Sequence, residues 1–502
     1  MNSKPLILIL GIYGVISAVG LHYHELFLDE AHHYLVSRDS HSFSDFYNNL
    51  RYDGHPRLWG ALLYLITHFL TTDPVAMQVL QWLFAMAGAF VLLRYGPFPV
   101  WMKVLMLSGY YFLFEYSVLS RNYAIGIWML FLCCHLLRDV EKNAVRIGVL
   151  ILLMCSAHVF FAFASIGIFL FAAAGRLKRK PLLILTLFLG VGLALAAVQA
   201  RTPSADNVNM TSVRPGDWFS GKSLRFASGA LVQGWLPVPQ VNGGRFWNTG
   251  WLSGDHLGPV IPWLLFGALL VFPAVVLRRR VAAMIFYYSV IGLLLLFFVV
   301  TQMTANRYFG MVYIFFIAAL WLAVDGPGEL LGPALVPGGA VLRRVWWAGW
   351  LAILVVQVMV GLYALGEDIR RPFSQSRNTA DFLRDGAAGR PVVVDGYTAG
   401  PQLCAYLERR LYYLTLRGEG SFCVWRKENF PSPRLSIAEE FSRNPGLTDM
   451  GEFILVSNRN LGDAIVAGYR LTPLKSFENS IVGENYYVYQ VDPAPQPGHP
   501  LR

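Results

Sequence analysis

PLILILGIYGVISAVGL (residues 5–21) carries no charge, and LFLDEAHHYLVSRD (residues 26–39) follows it with an acid pair, Asp29 and Glu30, and two histidines, His32 and His33. The first stretch decides the fold class. A helix of about 20 apolar residues crosses a hydrocarbon layer of about 30 Å, and apolar runs near that length recur through the first 365 residues. The chain has 502 residues, 55% of them hydrophobic and 14% charged, an apolar excess beyond what a globular core consumes. Uninterrupted runs of this kind specify helices, not a barrel, because each helix satisfies its own backbone in lipid. No A-x-A-like small-residue cleavage site precedes the acid pair, so the first run reads as a retained anchor and not as a signal peptide.

The formal charge is +10, and the distribution of the basic residues explains it without nucleic acid. They gather in short clusters between apolar runs: GRLKRK at residues 175–180, RRR at 278–280, and Arg343 with Arg344. That is positive-inside topology and not a phosphate-tracking patch. Of the five cysteines, Cys133, Cys134 and Cys155 lie in apolar runs as small hydrophobes. Cys404 and Cys423 lie in the polar tail, where an oxidising compartment would let them pair.

With Lys4 inside, the first helix delivers Leu21 to the outer face, and an outer loop spans residues 22–73. Residues 57–72 are apolar but short, which suits a segment lying along the interface. Further spans are expected near 74–93, 99–117, 119–137, 146–158, 159–175 and 181–200. A second outer loop, 201–257, holds Trp218, Trp235, Trp247 and Trp251, aromatics suited to a lipid interface. Spans near 258–277, 281–301, 307–324 and 346–365 follow, with the segment 325–344 inside, for about eleven crossings in all. The composition changes at about residue 366. RPVVVDGY reads as a buried strand, AGPQLCAYLERRL as a helix, EFILVSN as a second strand, and residues 466–491 as closing strands. The expected fold is a polytopic α-helical membrane module, 1–365, followed by a soluble extracytoplasmic α/β domain, 366–502.

This topology puts the conspicuous polar residues at one face. Asp29 and Glu30 open the first outer loop, His55 in GHPR closes it, Arg121 begins a span, His158 sits at an outer hairpin, and Arg307 in TANRY begins a late span. An acid pair alone is more often a solvated helix start, but beside a membrane helix ionisable groups are costly unless they function. Asp29 is the candidate catalytic base. Glu30, His32, His33, His55, Arg121 and His158 are candidate substrate-binding residues, with Glu30 equally suited to orienting its neighbours and His158 equally readable as a satisfied core histidine. Arg121 and Arg307, each a fork suited to bidentate phosphate contact, are candidate phosphate-binding residues, although one outer-face arginine alone reads as snorkelling. Tyr308 joins Arg307 on the phosphate side; as an isolated feature it and Tyr123 read as interfacial belt aromatics. Six of the eleven histidines precede residue 56. Asp29, His32 and His33, at spacings i, i+3 and i+4, could supply ligands to a divalent metal, or the imidazoles could hydrogen-bond substrate hydroxyls. No HExxH or paired CxxC pattern selects the metal.

FLDEAHHY at the end of the first helix, DGHPRLWG at the end of the first loop, FEYSVLSRNYAIG, and RYF opening a late helix together resemble the C-type (GT-C) superfamily of integral-membrane glycosyltransferases. The resemblance covers roughly residues 5–365 and is nearest to family 39-like enzymes, relatives of bacterial protein O-mannosyltransferases and of lipid A aminoarabinose transferases. It implies an inverting transfer of a sugar from a polyprenyl monophosphate donor to a hydroxyl of a lipid, glycan or protein at the outer face of the cytoplasmic membrane. In it Asp29 would be the base, with Arg121 and Arg307 near the donor phosphate. This chain has His55, Pro56, Arg57 where such enzymes often carry HPP. A transporter or flippase is the alternative; it calls for ionisable residues at mid-helix depth, and Glu115 and His135 lie near expected helix ends instead.

Overall fold

The structure, a computed structural model, describes residues 3–494 other than 176, 204–205, 209–214, 242–244, 259, 325–338 and 387–388. Most of the segment 325–344, expected inside, therefore lies outside the described residues. The chain opens with α1 (Ser3–Tyr23), α2 (Leu28–Asp39), α3 (Phe43–Asn49), α4 (Leu58–Phe69) and α5 (Val75–Tyr95). It continues through α6 (Val100–Leu107), α7 (Tyr123–Leu136), α8 (Val140–Ala157), α9 (Val159–Ala174) and α10 (Arg179–Ala200). Then come α11 (Gly221–Trp235), α12 (Val260–Leu277), α13 (Val281–Thr301), α14 (Asn306–Phe309), α15 (Met311–Ala323) and α16 (Ala340–Arg370).

Eight helical stretches among the described residues are long and apolar enough to cross a membrane, and the chain is a multi-pass membrane protein. One of the eight, Tyr123–Ala157, is broken at Leu137–Asp139 into α7 and α8, which pack on each other. α4 and α9 are shorter apolar helices, and the α6 segment ends in a π-helical turn, Tyr111–Glu115. Lipid offers helices no hydrophobic gain from associating, so close approach through small residues does the packing. At Gly361 an added Cβ would lie 2.8 Å from the carbonyl oxygen of Ser108 and the amide nitrogen of Tyr110, so α16 rests directly on the backbone beside the π turn. With 31 residues, α16 is about 46 Å long, more than the hydrocarbon needs. Its last turns bring Asp368 to His24, 2.9 Å away.

Residues 201–257, expected as loop, contain a helix. α11 was hidden by its small residues, Gly, Ser and Ala, inside a Gly-rich segment; it packs against α12, α13, α14 and α15. Trp235 at its end is fully buried rather than interfacial, whereas Trp251 is 44% exposed.

The tail forms one seven-stranded sheet in the order β3-β2-β1-β4-β7-β6-β5. Its strands are β1 (Val392–Asp395), β2 (Leu411–Tyr413), β3 (Gly418–Gly420), β4 (Phe453–Ser457), β5 (Ala464–Val466), β6 (Tyr469–Phe477) and β7 (Tyr486–Pro493). β1 is parallel to β2 and β4, with Val393 opposite Tyr412 and Leu455, and the other pairings are antiparallel. The two strands expected at RPVVVDGY and EFILVSN are the central neighbours. A helix over Pro401–Leu407 sits where AGPQLCAYLERRL predicts one. The expected Cys404–Cys423 pairing is absent: both are buried free thiols, Cys404 near the Tyr413 hydroxyl at 3.5 Å and Cys423 against the Tyr397 carbonyl at 3.4 Å.

α2 joins the two parts. Ala31, Tyr34 and Leu35 share one hydrophobic cluster with Val392, Val394, Leu403 and Tyr413 of the tail. Each such fully buried large side chain contributes roughly 1.5–3 kcal/mol. The helix that carries Asp29 is therefore held between the membrane bundle and the tail sheet.

Candidate active site

Glu30 sets the geometry. As the third residue of α2 its carboxylate accepts the Phe27 N–H, closing the first turn. The same carboxylate accepts the backbone N–H of Ser120 through Oε1 and meets His24 Nε2 at 3.0 Å through Oε2. The other His24 nitrogen meets Asp368 at 2.9 Å. Glu30 is 0% exposed. It does not face a groove, contrary to a substrate-binding role; it positions α2 against the Arg121 segment. Burial opposes charge on His24, but the Asp368 and Glu30 carboxylates outweigh it and push the imidazole up to about 10. His24 is thus a buried imidazolium between two carboxylates.

Asp29, next to Glu30, points the other way, and its side chain is 29% exposed. Arg307 Nη2 lies 2.5 Å from Asp29 Oδ2. Arg121 Nη1 donates to the Asp29 carbonyl at 2.7 Å and lies 3.9 Å from Oδ2. Burial alone would raise the Asp29 carboxyl, yet Arg307 and Arg121, with smaller contributions from His32 and His55, bring it below the ordinary carboxylate value. Two guanidiniums from distant segments share one partly open carboxylate.

Arg307 is seated by its surroundings. Asn306 receives the Gln233 side-chain N–H of α11 at 2.6 Å and donates to the Tyr110 hydroxyl at 3.3 Å. Tyr116 hydroxyl donates to the Arg307 carbonyl at 2.8 Å. The guanidinium lies 5.0 Å from the Tyr308 ring and 5.7 Å from Trp247, a cation–π setting, and its Nε is buried with no hydrogen-bond partner. Trp247 donates to Glu115 at 3.1 Å. So Trp247, expected in an interfacial belt, is a wall of the site, and Glu115 is a buried acceptor beneath it.

The histidines form the facing wall. His32 Nε2 pairs with Asp53 at 3.0 Å, and His33 Nδ1 is 3.9 Å from the same carboxylate. His55 stacks on His158 with ring centroids 5.3 Å apart. His158 Nδ1 accepts the Phe160 N–H at 3.2 Å, which leaves the proton on Nε2, 3.5 Å from the Tyr123 hydroxyl. Burial and the nearby Arg121 drive His33 well below its ordinary value and His55 down to about 4. His33 and His55 are therefore neutral hydrogen-bonding groups at physiological pH. Asn122 donates to the Ala157 carbonyl at 2.9 Å and ties the Arg121 segment to the His158 hairpin.

The structure thus brings Asp29, His32, His33, His55, Arg121, His158, Arg307 and Tyr308 to one end of the bundle. Asp29, His32 and His33 do not assemble as a ligand set, because Arg307 engages Asp29 and Asp53 engages His32. Among the described residues no group of three or more His, Cys, Asp or Glu is arranged to hold a metal ion. Asp53, two residues before His55, and Asp368, near the end of α16, also join this end of the bundle, and their sequence signal is an acid beside outer-face residues. Nothing local signalled Glu484, whose Oε1 accepts the Leu28 N–H at 2.9 Å from the tail. A cavity of ≈ 640 Å³ between α1, α5 and the tail, lined by Leu21, Val79, Trp82, Arg377 and Tyr406, lies apart from these groups.

No family model matches the chain, and no curated protein is similar to it. Several solved structures are similar to it, two of ArnT among them. ArnT from Cupriavidus metallidurans bound to undecaprenyl phosphate matches with a TM-score of 0.51 at 12% identity, over 98% of this chain and 98% of that one. ArnT from the same organism in the apo state matches with a TM-score of 0.45 at 12% identity, over 97% and 98%. Over nearly its whole length the chain has the fold of ArnT, a multi-pass helical membrane module followed by a mixed α/β domain.

Proposed function

We propose that the protein is an inverting glycosyltransferase of the GT-C kind. It moves a sugar from a polyprenyl monophosphate donor to a hydroxyl of a lipid, glycan or protein at the outer face of the cytoplasmic membrane. On this reading its N-terminus is cytoplasmic, and the tail domain, from about residue 366, is extracytoplasmic. The observation that carries the reading is Asp29 held by Arg307 and Arg121 at the end of a membrane bundle, the level at which a lipid-linked phosphate floats. The ArnT solved with undecaprenyl phosphate, a polyprenyl phosphate, has the same fold.

The chemistry follows from the charges. A donor phosphate takes the two guanidiniums, which offer a bidentate fork and a second cation. Asp29, released from them, accepts the proton of the acceptor hydroxyl as that oxygen bonds to the anomeric carbon and the bond to phosphate oxygen breaks. The phosphate leaves as an anion stabilised by Arg307 and Arg121. One displacement inverts the anomeric centre, and the leaving group needs no acid. The neutral His33, His55 and His158 are placed to hydrogen-bond sugar or acceptor hydroxyls, and Glu30 with His24 and Asp368 positions Asp29. Tyr308 stacks beside Arg307 and holds it toward the phosphate.

Incubating the purified protein with a panel of polyprenyl-phosphoryl sugars and a cell-envelope extract tests this. Free polyprenyl phosphate and a product of inverted anomeric configuration are expected. A retained configuration, or no release from any donor, overturns it.

A further inference from the structure

Arg51, Arg57 and Arg201 come from three segments: the turn after α3, the residue before α4 and the residue after α10. They line one cavity of ≈ 550 Å³ together with Tyr47, Asn48 and Thr202. Arg57 is 7% exposed, and its guanidinium carbon lies 3.4 Å from the Tyr47 ring centroid. Its Nε and Nη1 are buried with no hydrogen-bond partner. Among the described residues none of the three arginines forms an ion pair; the nearby acids are engaged elsewhere, Asp53 by His32 and Asp206 by the Tyr52 hydroxyl. A buried guanidinium without an anion is costly, and three cations meeting in one cavity call for a phosphate-like ligand.

Topology does not explain the cluster. It sits at the Asp29 end of the bundle: the Arg57 N–H donates to Gln199 at the end of α10, and His55 stacks on His158. Lys178, Arg179 and Lys180 lie at the opposite end of α10, where the positive-inside bias collects basic residues. The cavity also adjoins an exposed apolar face. Val198, on its lining, is 62% exposed, and it heads an exposed stripe of Leu195, Val191, Leu187 and Leu183 down α10, a candidate span. From Leu183 to Val198 that stripe runs about 22 Å, the reach of an acyl chain.

We propose that this cavity binds the phosphate headgroup of an anionic membrane lipid, with its acyl chains along the exposed stripe of α10. Arg57 closes the 53–57 loop, whose Asp53 and His55 reach His32 and His158 at the Asp29 site. His55 and Arg57 are two residues apart, so their Cα atoms are at most about 7.6 Å from each other. A lipid phosphate on Arg57 therefore fastens the loop that supplies Asp53 to His32 and His55 to His158. This inference does not depend on the proposed reaction.

The test is lipid retention by the full chain, read by native mass spectrometry after exchange into phosphatidylglycerol or phosphatidylcholine of identical chains. Wild type is expected to retain phosphatidylglycerol selectively. Arg51 and Arg201 are both exposed, so the double variant Arg51→Gln/Arg201→Gln keeps its fold, and it should lose about 30-fold in phosphatidylglycerol affinity. Arg57→Gln should abolish the selectivity. Equal retention by wild type and the double variant overturns the site. Full displacement of phosphatidylglycerol by millimolar inorganic phosphate overturns the lipid as its ligand in favour of a free-anion site.

Discussion

At neutral pH the Asp29 carboxylate is ionised but weakly basic, because Arg307 and Arg121 stabilise its charge against burial. On the proposed reaction, a bound donor phosphate would neutralise those arginines and raise the carboxyl. The acid limb of kcat/KM, which reports the free protein, should then fall below the ordinary Asp value of about 3.9, and the acid limb of kcat should lie at higher pH. Coincident limbs would mean that the arginines do not change partner. His24 gives a separate pH effect, on stability. Its folded value of about 10 stands above the unfolded value of about 6.5, so its contribution is complete below about pH 6.5 and is lost as pH rises through 10. Thermal melts between pH 6 and 10 should show that loss in wild type and not in His24→Gln. Glu30→Ala, which strands His24 and the Ser120 N–H, should cost about 3–5 kcal/mol of stability. Asp29, Arg121, His55 and Arg307 were legible because ionisable residues at the ends of apolar runs stand out against lipid. Glu30 was not, because what separates it from Asp29 is the set of partners it meets, and one of these, His24, leads on to a residue 344 positions away.

Between α11 and α14 the backbone contact decides where Arg307 sits. A Cβ at Gly234 would lie 2.3 Å from the Phe309 carbonyl oxygen, and a main-chain atom cannot swing aside. Gly234→Ala should therefore shift α14 and lower donor affinity or stability, whereas Gly267→Ala on α12, with nothing within 4 Å, should be neutral or stabilising by about 0.5–1 kcal/mol. Matched melts and donor-binding curves distinguish the two. The long spans were readable from apolar length alone. α11 was not, since its sequence mixes Gly, Ser and Gln with apolar residues and reaches burial only through tertiary contact; β2 and β3 were too short, at three residues each, to show a pattern.

At the scale of the whole molecule, the tail grips the site helix. Glu484, raised by burial to about 7, accepts the Leu28 N–H at the first residue of α2, and Tyr406 accepts the Leu26 N–H at 2.8 Å. Glu484→Ala should lower kcat/KM by about tenfold, about 1.4 kcal/mol of transition-state stabilisation, while the tail stays folded. The composition change near residue 366 announced a second domain; its grip on α2 was invisible because the contacts join residues more than 370 positions apart in sequence. The measurement that bears most directly on the assignment of Asp29 sets Asp29→Asn beside Arg307→Gln, with donor binding and polyprenyl phosphate release followed separately on a polyprenyl-phosphoryl sugar that wild type turns over. Asp29→Asn should bind donor as well as wild type and release at least about 100-fold more slowly, while Arg307→Gln should lose donor binding. Wild-type release by Asp29→Asn would contradict the role of Asp29 as the base.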